Sequence, residues 1–361
     1  MTNHTDVLGK RHWTIHDVAR RAEVSAKTVS RVINGIGGVG EETRARIIRI
    51  IREVGYHPHT GARSMRRQQR DCVGVAVTAP LSEVPIRMDL FEWLFAELYE
   101  IFGSKGSYIC FDLNPFSASP VVDYGRGLWE QRCGGVVVFG PVKASDAVMR
   151  RIHDSGHPYL ALNRPADLPN CSYATVDYEE GAYLSTRFLL DRGHTGVGML
   201  QGFGDYQGGL ERVQGYGRAL GAVGLEVDPK RIIPVALGAR DIESAVYRLL
   251  LDPGVTAIVD ASSVEDAASI REGARRAGRT PGKDFEIVAW TYTDNAAVMA
   301  EAAAHVWLPL VEAASAGFRE FADWFYGRRN GPVKILYRPT LYEAVAGAEV
   351  PKPRRLFDVF T

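Results

Sequence analysis

Residues 14–65 read TIHDVARRAEVSAKTVSRVINGIGGVGEETRARIIRIIREVGYHPHTGARSM. This stretch begins with two short amphipathic segments, each preceded by a residue that favours a helix start. Thr14 is a suitable N-cap for the first segment, with Asp17 at the N3 position, and Ser25 is a suitable N-cap for the second. Because only Glu23-Val24 separates the first segment from the cap of the second, the pattern predicts a helix-turn-helix.

A third amphipathic segment follows a glycine-rich loop at 35–40. We expect it to run from about Glu41 to Val54 and to end at Gly55, since glycine is the usual residue just past a helix C-terminus. The spacing of its apolar residues predicts a core-facing side made of Ile47, Ile48, Ile50 and Ile51, with the arginines at 44, 46, 49 and 52 largely outward. Residues 14–56 are therefore expected to form three helices around one small core.

The second helix of a helix-turn-helix lies in the major groove of DNA with its first turn facing the base edges. Here that turn carries Ala26 and Lys27, and Arg31 lies one turn further along the same side. Lysine and arginine donate to guanine O6 and N7, and an alanine methyl group can contact a thymine methyl group. Short hydroxyl side chains suited to phosphate oxygens accompany them, namely Ser25, Thr28 and Ser30. The alternative is a plain three-helix bundle with a charged face.

The charge of the chain is divided between its two parts. Residues 1–70 hold 14 basic and 6 acidic side chains, a formal charge of +8, and the remainder holds 29 basic and 37 acidic side chains, a formal charge of −8. This division favours a head that binds a polyanion, attached to an acidic body. Charge alone leaves open a merely solvated basic tail.

The whole of residues 14–65 resembles the DNA-binding head and hinge of the LacI/GalR family, end to end. The resemblance implies that Ala26, Lys27 and Arg31 occupy the base-reading positions, and Thr14 and Asn34 complete the predicted DNA-binding set of the head. It also implies that 60–67 folds into a hinge helix only on operator DNA. Met65 stands where the family inserts a leucine into the minor groove, so we expect Met65 to act as a wedge, with Arg63 and Arg66 beside it against phosphates.

The head departs from the family pattern at three positions. The usual turn glycine is Glu23 here, so a non-glycine residue is expected to take an unusual backbone angle at a cost of about 1 kcal/mol. Gly40 replaces the usual hydroxyl cap of the third helix, which costs about a few tenths of a kcal/mol. His59 stands where asparagine is usual. None of the three removes the prediction of DNA binding.

Beyond residue 70 the sequence alternates apolar runs with amphipathic stretches. The runs predicted as buried strands are 73–77, 107–112, 134–140, 158–163, 196–202, 256–261 and 285–290, and the predicted helices are 89–102, 179–192, 211–223, 241–251, 263–277 and 311–327. Strands that are apolar throughout and alternate with helices indicate parallel sheets covered on both faces. About 290 residues of this pattern exceed one comfortable domain, so two lobes are expected.

The body resembles the effector domain of the same family, which is similar to periplasmic sugar-binding proteins, across about residues 72–346. The best-matched stretches are 176–202 and 210–225. The fold predicted is thus an all-α helix-turn-helix head followed by a two-lobed, periplasmic-binding-protein-like α/β body. The predicted bounds are 1–58 for the head, 59–70 for the hinge and 71–361 for the body, with one lobe at about 71–175 and 303–332 and the other at about 176–302 and 333–350.

The resemblance implies a small-molecule pocket between the lobes, at the carboxyl ends of the strands. Arg212 matches the arginine that family members use to grip the effector, and a guanidinium fork suits sugar hydroxyls or a carboxylate. The alternative for Arg212 is a salt bridge at the surface or between the lobes.

The predicted pocket lacks two acidic positions that sugar-binding relatives carry. Ser262-Ser263 stands where they have Asn-Asp, and Ala289-Trp290-Thr291-Tyr292 stands where they have Gly-Phe/Tyr-Asp-Asp. Asp260, Trp290 or Tyr292 is expected to compensate, and Ser263 completes the predicted effector-binding set. The other possibility is a ligand that is not an ordinary monosaccharide.

Other classes of site find little support in the sequence. The four cysteines are far apart and include no CxxC pair, so they indicate reduced core residues without a metal or disulfide role. No nucleophile elbow or paired carboxylates stand out, and the histidines at 153, 157 and 194 suit loops or caps better than catalysis. We expect no cofactor, no metal and no enzymatic activity. Without a signal peptide or an uninterrupted apolar span, the chain is expected to be soluble and cytoplasmic.

These observations together predict a homodimeric repressor. Two heads are expected to bind the half-sites of a pseudo-palindromic operator in double-stranded DNA, and a small molecule, a sugar or sugar derivative, is expected to control that binding. Whether the effector releases or strengthens DNA binding stays open, since it need only bind the two states with different affinities. The alternatives from other classes are a ligand-binding transport protein and a sugar-modifying enzyme, each with an incidental basic head. The missing signal peptide argues against the first, and turnover assays test the second.

Overall fold

The computed structural model describes residues 13–33, 36–56, 72–78, 88–112, 123–143, 145–165, 168–235, 239–292 and 301–344. The chain divides into two compact units, Met1–Arg70 and Asp71–Thr361, called the head and the body below. Each unit is described by itself.

The described part of the head contains the three expected helices, α1 (Ile15–Arg21), α2 (Ala26–Ile33) and α3 (Glu41–Val54). Thr14 and Asp17 cap α1 reciprocally, because each side chain accepts a hydrogen bond from the other's backbone amide. Gly40 precedes α3 without a side-chain cap, and Gly55 ends the helix in the left-handed conformation, as expected.

One apolar cluster forms the core of the head, and the prediction that Ile48 belongs to it is wrong. The buried residues are Val18, Ala19, Ala22, Val29, Val32, Ile47, Ile50 and Tyr56. Ile48 was predicted to face this core but is 36% exposed. Along α3 the buried side follows Ile47, Ile50 and Ile51 at helical spacing, which turns Ile48 towards solvent.

The body is built from twelve strands and eight α-helices among its described residues. The strands are β1 (Cys72–Val77), β2 (Tyr108–Asp112), β3 (Gly135–Phe139), β4 (Tyr159–Ala161), β5 (Tyr173–Val176), β6 (Val197–Gln201), β7 (Ile232–Pro234), β8 (Ala257–Ala261), β9 (Glu286–Thr291), β10 (Ala304–Trp307), β11 (Lys334–Tyr337) and β12 (Thr340–Glu343). The helices are α4 (Met88–Ile101), α5 (Arg126–Trp129), α6 (Ala147–Asp154), α7 (Tyr178–Asp191), α8 (Gln207–Gly221), α9 (Ala239–Leu250), α10 (Ala267–Arg276) and α11 (Leu310–Phe325).

The strands form two six-stranded sheets, one in each lobe. The N-lobe sheet has the order β11-β5-β4-β3-β1-β2, and the C-lobe sheet has the order β12-β10-β9-β8-β6-β7. All paired strands are parallel except β10 and β12. Helices cover the sheets, which explains why the central strands β3 and β8 are buried along their whole length. The predicted two-lobed α/β body is therefore confirmed.

The chain crosses between the lobes three times. The first crossing lies between β5 and α7, close to residue 176 as expected. The other two were expected near 303 and 333, but β10 still belongs to the C-lobe sheet and β11 still belongs to the N-lobe sheet. The second crossing therefore follows β10 and the third follows β11. Short strands such as β10 and β11 were not predicted, because four residues are too few to show a clear period.

Three of the cysteines lie in or near the N-lobe core as the sequence indicated, but Cys110 does not. Cys133 and Cys171 are buried and Cys72 is half-buried, whereas Cys110 is exposed on β2 at the edge of the sheet. An edge strand presents one side to solvent, which an apolar run such as 108–111 does not reveal by itself. Among the described residues no helix is both long and apolar enough to cross a membrane.

Candidate functional site

The first turn of α2 is the exposed end of the helix-turn-helix. Ser25 is its N-cap, since the Ser25 Oγ accepts a hydrogen bond from the Thr28 backbone amide at 3.1 Å and lies 2.9 Å from the Thr28 hydroxyl. Lys27 is exposed, whereas Ala26 is half-buried at the edge of the head's core. The geometry leaves Lys27 and the two hydroxyl groups accessible and presents only part of the Ala26 methyl group.

Arg31 lies one turn further along α2 and is held by the glycine-rich loop. Its Nη2 donates to the carbonyl oxygen of Gly37 at 2.6 Å, and its Nε is buried without a partner among the described residues. A Cβ atom on Gly38 would lie 2.8 Å from the same Nη2, and Gly38 has a φ of +87°. The loop therefore fits around Arg31 only with glycine at 38. A guanidinium group has five N–H donors, so most of the hydrogen-bonding capacity of Arg31 remains for DNA.

The turn between α1 and α2 has the strained residue that the sequence predicted. Glu23 has a φ of 52°, in the left-handed region that favours glycine. Its side chain is exposed, so the conformation is imposed by the turn and not by a side-chain contact.

Of the remaining residues predicted to contact DNA, only Thr14 and Ser30 lie among the described residues. Thr14 has its hydroxyl group 2.7 Å from the Asp17 carboxylate, where it serves the cap of α1. Ser30 is half-buried on α2. Asn34, Arg63, Met65 and Arg66 lie outside the described residues, as does His59. Their predicted contacts stay predictions.

The body has a cleft between its two lobes with about 750 Å³ of empty space, open solvent at its mouth included. Its walls are formed largely at the carboxyl ends of strands, where open α/β sheets bind ligands. The N-lobe wall consists of Trp93, Phe139, Gly140, Pro141, Leu162, Asn163, Ala174, Leu310 and Ala314, and the C-lobe wall consists of Tyr178, Phe203, Ser263 and Tyr292. Aromatic rings thus face the space from both lobes.

Arg212 lies behind the C-lobe wall and is completely buried. Its Nε donates to the carbonyl oxygen of Ala261 at 3.0 Å, and its Nη2 donates to the Ser263 hydroxyl at 2.9 Å. Its guanidinium carbon lies 4.0 Å from the ring centroid of Tyr178 and 4.9 Å from that of Phe203. Burial lowers the pKa of Arg212 to about 10, so the group stays charged at neutral pH. Arg212 therefore does not line the cleft itself. It contacts three residues of the wall, Ser263, Tyr178 and Phe203.

Two further residues of the predicted effector set are also buried behind the wall. Trp290 is 1% exposed, donates from Nε1 to the Ser185 hydroxyl at 2.9 Å and stacks on Tyr178. The Asp260 carboxylate accepts a hydrogen bond from the Ser262 amide at 3.1 Å, and burial raises the pKa of its carboxyl group. Of the five predicted residues, the structure brings only Ser263 and Tyr292 to the cleft itself.

Backbone strain is concentrated at the C-lobe edge of the cleft. Phe203, Ser263 and Glu265 have φ values of 64°, 62° and 54°, although none of them is glycine. The Glu265 carboxylate accepts hydrogen bonds from the Tyr292 amide at 2.8 Å and from the Thr291 hydroxyl at 2.7 Å, which ties the loop after β8 to the end of β9. Strained residues of this kind persist where the surrounding contacts over-determine them, as in ligand sites.

Sequence reasoning missed most of the cleft wall. Tyr178, Phe203, Asn163 and Phe139 line it, and none of them was singled out. Tyr178 and Phe203 could have been found from their place just after β5 and β6, since residues that follow parallel strands meet at one edge. Phe139, the last residue of β3, carried the same signal, whereas Trp93 on α4 did not.

The three histidines considered for catalysis have structural partners. The Nδ1 atoms of His153, His157 and His194 lie 2.8 to 3.0 Å from the hydroxyl groups of Tyr159, Ser155 and Thr256 respectively. In the part of the chain that the structure describes, no group of three or more His, Cys, Asp or Glu side chains is placed to hold a metal ion.

Two family models match the chain. The model for bacterial regulatory proteins of the lacI family matches residues 14–59, and the model for periplasmic binding proteins and the sugar-binding domain of the LacI family matches residues 110–317, more than half of the chain. The first covers the helix-turn-helix, and the second covers most of both lobes.

Characterised proteins resemble the chain along most of its length. The HTH-type transcriptional regulator CelR of Thermobifida fusca is 30% identical over 294 residues, which are 78% of this chain and 82% of CelR. The solved complex of CelR with cellobiose has a TM-score of 0.61 at 25% identity and covers 92% of this chain and 98% of that one. The lac repressor dimer bound to operator and the anti-inducer ONPF has a TM-score of 0.72 at 20% identity, with the same coverage, and shares the fold.

Proposed function

The chain belongs to the LacI family of DNA-binding transcriptional regulators, and we propose that it is a repressor whose operator affinity is set by a small molecule held between the lobes of the body. The observation that carries the DNA-binding half is the first turn of α2, where Lys27 and the N-cap Ser25 are exposed and Thr28 is half-buried at the N-terminus of a helix. Helix N-termini favour phosphates, and the cationic side chains suit guanine edges.

The direct test of the DNA-binding half is selection from random duplexes. The full-length protein is expected to enrich a pseudo-palindromic site whose half-sites each fit one head. The same selection with Lys27→Ala is expected to enrich a site with altered preference at the positions that Lys27 reads. Enrichment of no sequence by the wild-type protein, with and without candidate small molecules, would overturn the proposal.

We propose a carbohydrate-related effector for the cleft. Its C-lobe wall combines Ser263 with the aromatic side chains of Tyr178, Phe203 and Tyr292, which suit a sugar ring with polar edges and apolar C–H faces. CelR, similar over most of this chain, has been solved with cellobiose. Arg212 acts here by holding Ser263 and Phe203 in place.

The effector is tested by thermal shift, since a ligand of the native state raises its melting temperature. Cellobiose, free monosaccharides and sugar acids are the probes. A true effector is expected to raise the melting temperature of the wild type, to do so much less with Phe203→Ala, and to change operator affinity. A probe that shifts both proteins equally binds elsewhere.

We propose that the regulator is a homodimer, since two heads are needed for a two-fold operator. The edge of the N-lobe supports this, because Phe95, Tyr99 and Tyr108 are 48%, 62% and 64% exposed on α4 and β2, and Phe95 stacks on Phe111. Large exposed aromatic patches mark association surfaces. Tyr99→Lys and Tyr108→Lys are expected to shift the protein towards monomer in analytical ultracentrifugation. The control is Leu251→Lys, at a side chain that is 59% exposed on the C-lobe, and it is expected to leave the oligomeric state unchanged.

We propose that the body binds its effector without turnover and that the protein acts on DNA in the cytoplasm. The histidines at 153, 157 and 194 have hydroxyl partners that fit structural roles. Incubation of the protein with each probe that binds, followed by chromatography of the recovered probe, tests this, and any chemical change in the probe would contradict it.

A further inference from the structure

The two lobes are joined across the cleft by an ion pair next to the ligand space. Arg164 lies in the loop after β4 of the N-lobe, and Glu211 lies on α8 of the C-lobe. The Nη2 and Nε of Arg164 donate to Glu211 Oε1 at 2.6 and 3.0 Å. A salt bridge between the lobes was the alternative role for Arg212 in the sequence analysis. In the structure the neighbouring residue, Glu211, forms that salt bridge.

Glu211 is buried, so the ion pair neutralises a charge that has little contact with water. Its side chain is 4% exposed, whereas that of Arg164 is 34% exposed. The Gln207 side-chain amide donates to the same Oε1 at 3.2 Å, so three donors converge on one carboxylate oxygen. While the lobes stay together, a buried carboxylate deprived of its cation is costly, since neither water nor another charge replaces it. Loss of the Arg164 charge therefore favours separation of the lobes, which lets water reach Glu211.

Two further contacts join the lobes near the ion pair: a backbone hydrogen bond and a solvent-exposed salt bridge. The Gln207 backbone amide donates to the carbonyl oxygen of Val142 in the N-lobe at 3.3 Å. Gln207 is the first residue of α8, so its amide has no acceptor inside the helix and depends on the other lobe. Lys143 and Asp205 also pair across the lobes at 3.5 Å, but their side chains are 55% and 77% exposed, and such pairs contribute little.

The pair is adjacent in sequence to two residues of the cleft. Asn163, which precedes Arg164, lines the N-lobe wall and donates to the Gly140 carbonyl oxygen at 2.8 Å. Arg212, which follows Glu211, holds Ser263 of the C-lobe wall. Each member of the ion pair is therefore one residue away from a side chain that lines or supports a wall of the cleft.

We propose that Arg164 and Glu211 form a latch that holds the lobes closed over the cleft, with both acting as positioning residues. The latch sets how often the cleft opens, and thereby how fast a small molecule enters and leaves. It goes beyond the proposed function, and its test requires neither DNA nor an effector.

The experiment is amide hydrogen exchange on the full-length protein, read at single residues by mass spectrometry with electron-transfer fragmentation. The Gln207 amide reports opening of the lobes, because its acceptor lies on the other lobe. The Leu210 amide, which donates to the Tyr206 carbonyl oxygen within the C-lobe, reports fraying of the same helix end. A latch affects the first amide and leaves the second unchanged.

Two variants and a matched control define the expected result. Arg164→Gln leaves Glu211 buried without its cation and is expected to speed exchange at Gln207 at least 10-fold. Glu211→Gln leaves an arginine that can turn to solvent and is expected to speed it about 3-fold. The control is Arg218→Gln. Arg218 lies on α8, like Glu211, but it pairs with Glu179 and Glu180 of α7 within the C-lobe, so its removal is expected to change exchange at Gln207 less than 2-fold.

The double variant distinguishes a latch from loss of packing. Adding Glu211→Gln to Arg164→Gln removes the stranded charge, so exchange at Gln207 is expected to be slower in the double variant than in Arg164→Gln alone. Arg164→Lys, which keeps the charge, is expected to stay within about 3-fold of wild type. Further acceleration in the double variant, equal acceleration at Leu210, or no acceleration in Arg164→Gln would each overturn the latch.

Discussion

The head and the body place arginine at their functional sites in opposite ways. Arg31 in the head is half-buried on a surface helix, with a hydrogen bond from its Nη2 to the Gly37 carbonyl oxygen. Arg212 in the body is 0% exposed, with carbonyl and hydroxyl acceptors for its donors and aromatic rings around it. Both side chains carry a positive charge. Arg31 keeps donors available for a partner outside the protein, whereas the donors of Arg212 are hydrogen-bonded within it.

The difference follows from what each site must recognise. DNA brings its own phosphates and base acceptors, so a reading side chain is useful only if its donors are still available when the duplex arrives. The proposed effector is a carbohydrate-related molecule that must be enclosed, and Arg212 is buried behind the wall, so its charge serves the shape of the wall through Ser263 and Phe203. The contrast predicts that the two arginines fail differently when they are removed.

The largest effect is expected on the stability of the body. Arg212→Ala would leave a cavity beneath the rings of Tyr178, Phe203 and Trp290, and we expect it to lower the free energy of unfolding by about 3 kcal/mol. Arg212→Met, which fills most of the space, is expected to lower it by about 1 kcal/mol. Urea unfolding followed by circular dichroism measures both.

The control for Arg212 is Arg218→Ala on the same helix, where the side chain is 46% exposed. We expect a loss of at most about 0.5 kcal/mol there. Equal losses for the two alanine variants would erase the distinction between an enclosed and an exposed arginine. A loss for Arg212→Met as large as that for Arg212→Ala would assign the effect to charge instead of packing.

The next effect is expected on DNA binding. Arg31→Ala should weaken binding to the selected operator by about 1–3 kcal/mol, because a bidentate donor to guanine is lost, and should leave the thermal shift by the effector unchanged. Fluorescence anisotropy with operator and random duplexes of the same length measures it. If the variant loses as much affinity for random DNA as for operator, Arg31 contacts phosphates and does not read bases.

Much of the head could be predicted from the sequence because its signals are local. The caps at Thr14 and Ser25, the stop at Gly55 and the strain at Glu23 each depend on residues within one helical turn. The docking of Gly37 and Gly38 onto Arg31 could not be predicted, since it joins a loop to a helix through a single carbonyl oxygen.

The body was predictable as a fold but less so as a site. Apolar runs identified the central strands, whereas the cleft depends on residues that meet only after both sheets form, such as Phe139 at the end of β3 and Tyr292 after β9. Trp290 illustrates the limit. Its position near the end of a strand suggested a ligand platform, but Trp290 still lies within β9 and is buried, where it stacks behind Tyr178. Residues two apart share one face of a strand, so Trp290 and Tyr292 differ in their distance from the strand end, and only Tyr292, which follows β9, lines the cleft.

The smallest effect concerns backbone strain, and here the head and the body are expected to differ in sign. Glu23 has a left-handed φ and an exposed side chain, so Glu23→Gly should relieve about 0.5–1 kcal/mol of strain and slow exchange of the buried amides of α3. Ser263 has a similar φ, but its hydroxyl accepts a hydrogen bond from Arg212, so Ser263→Gly should destabilise the body by about 1 kcal/mol despite the same relief. Stabilisation by both substitutions would mean that the strain at the cleft is incidental, and that Arg212 does not position the wall through Ser263.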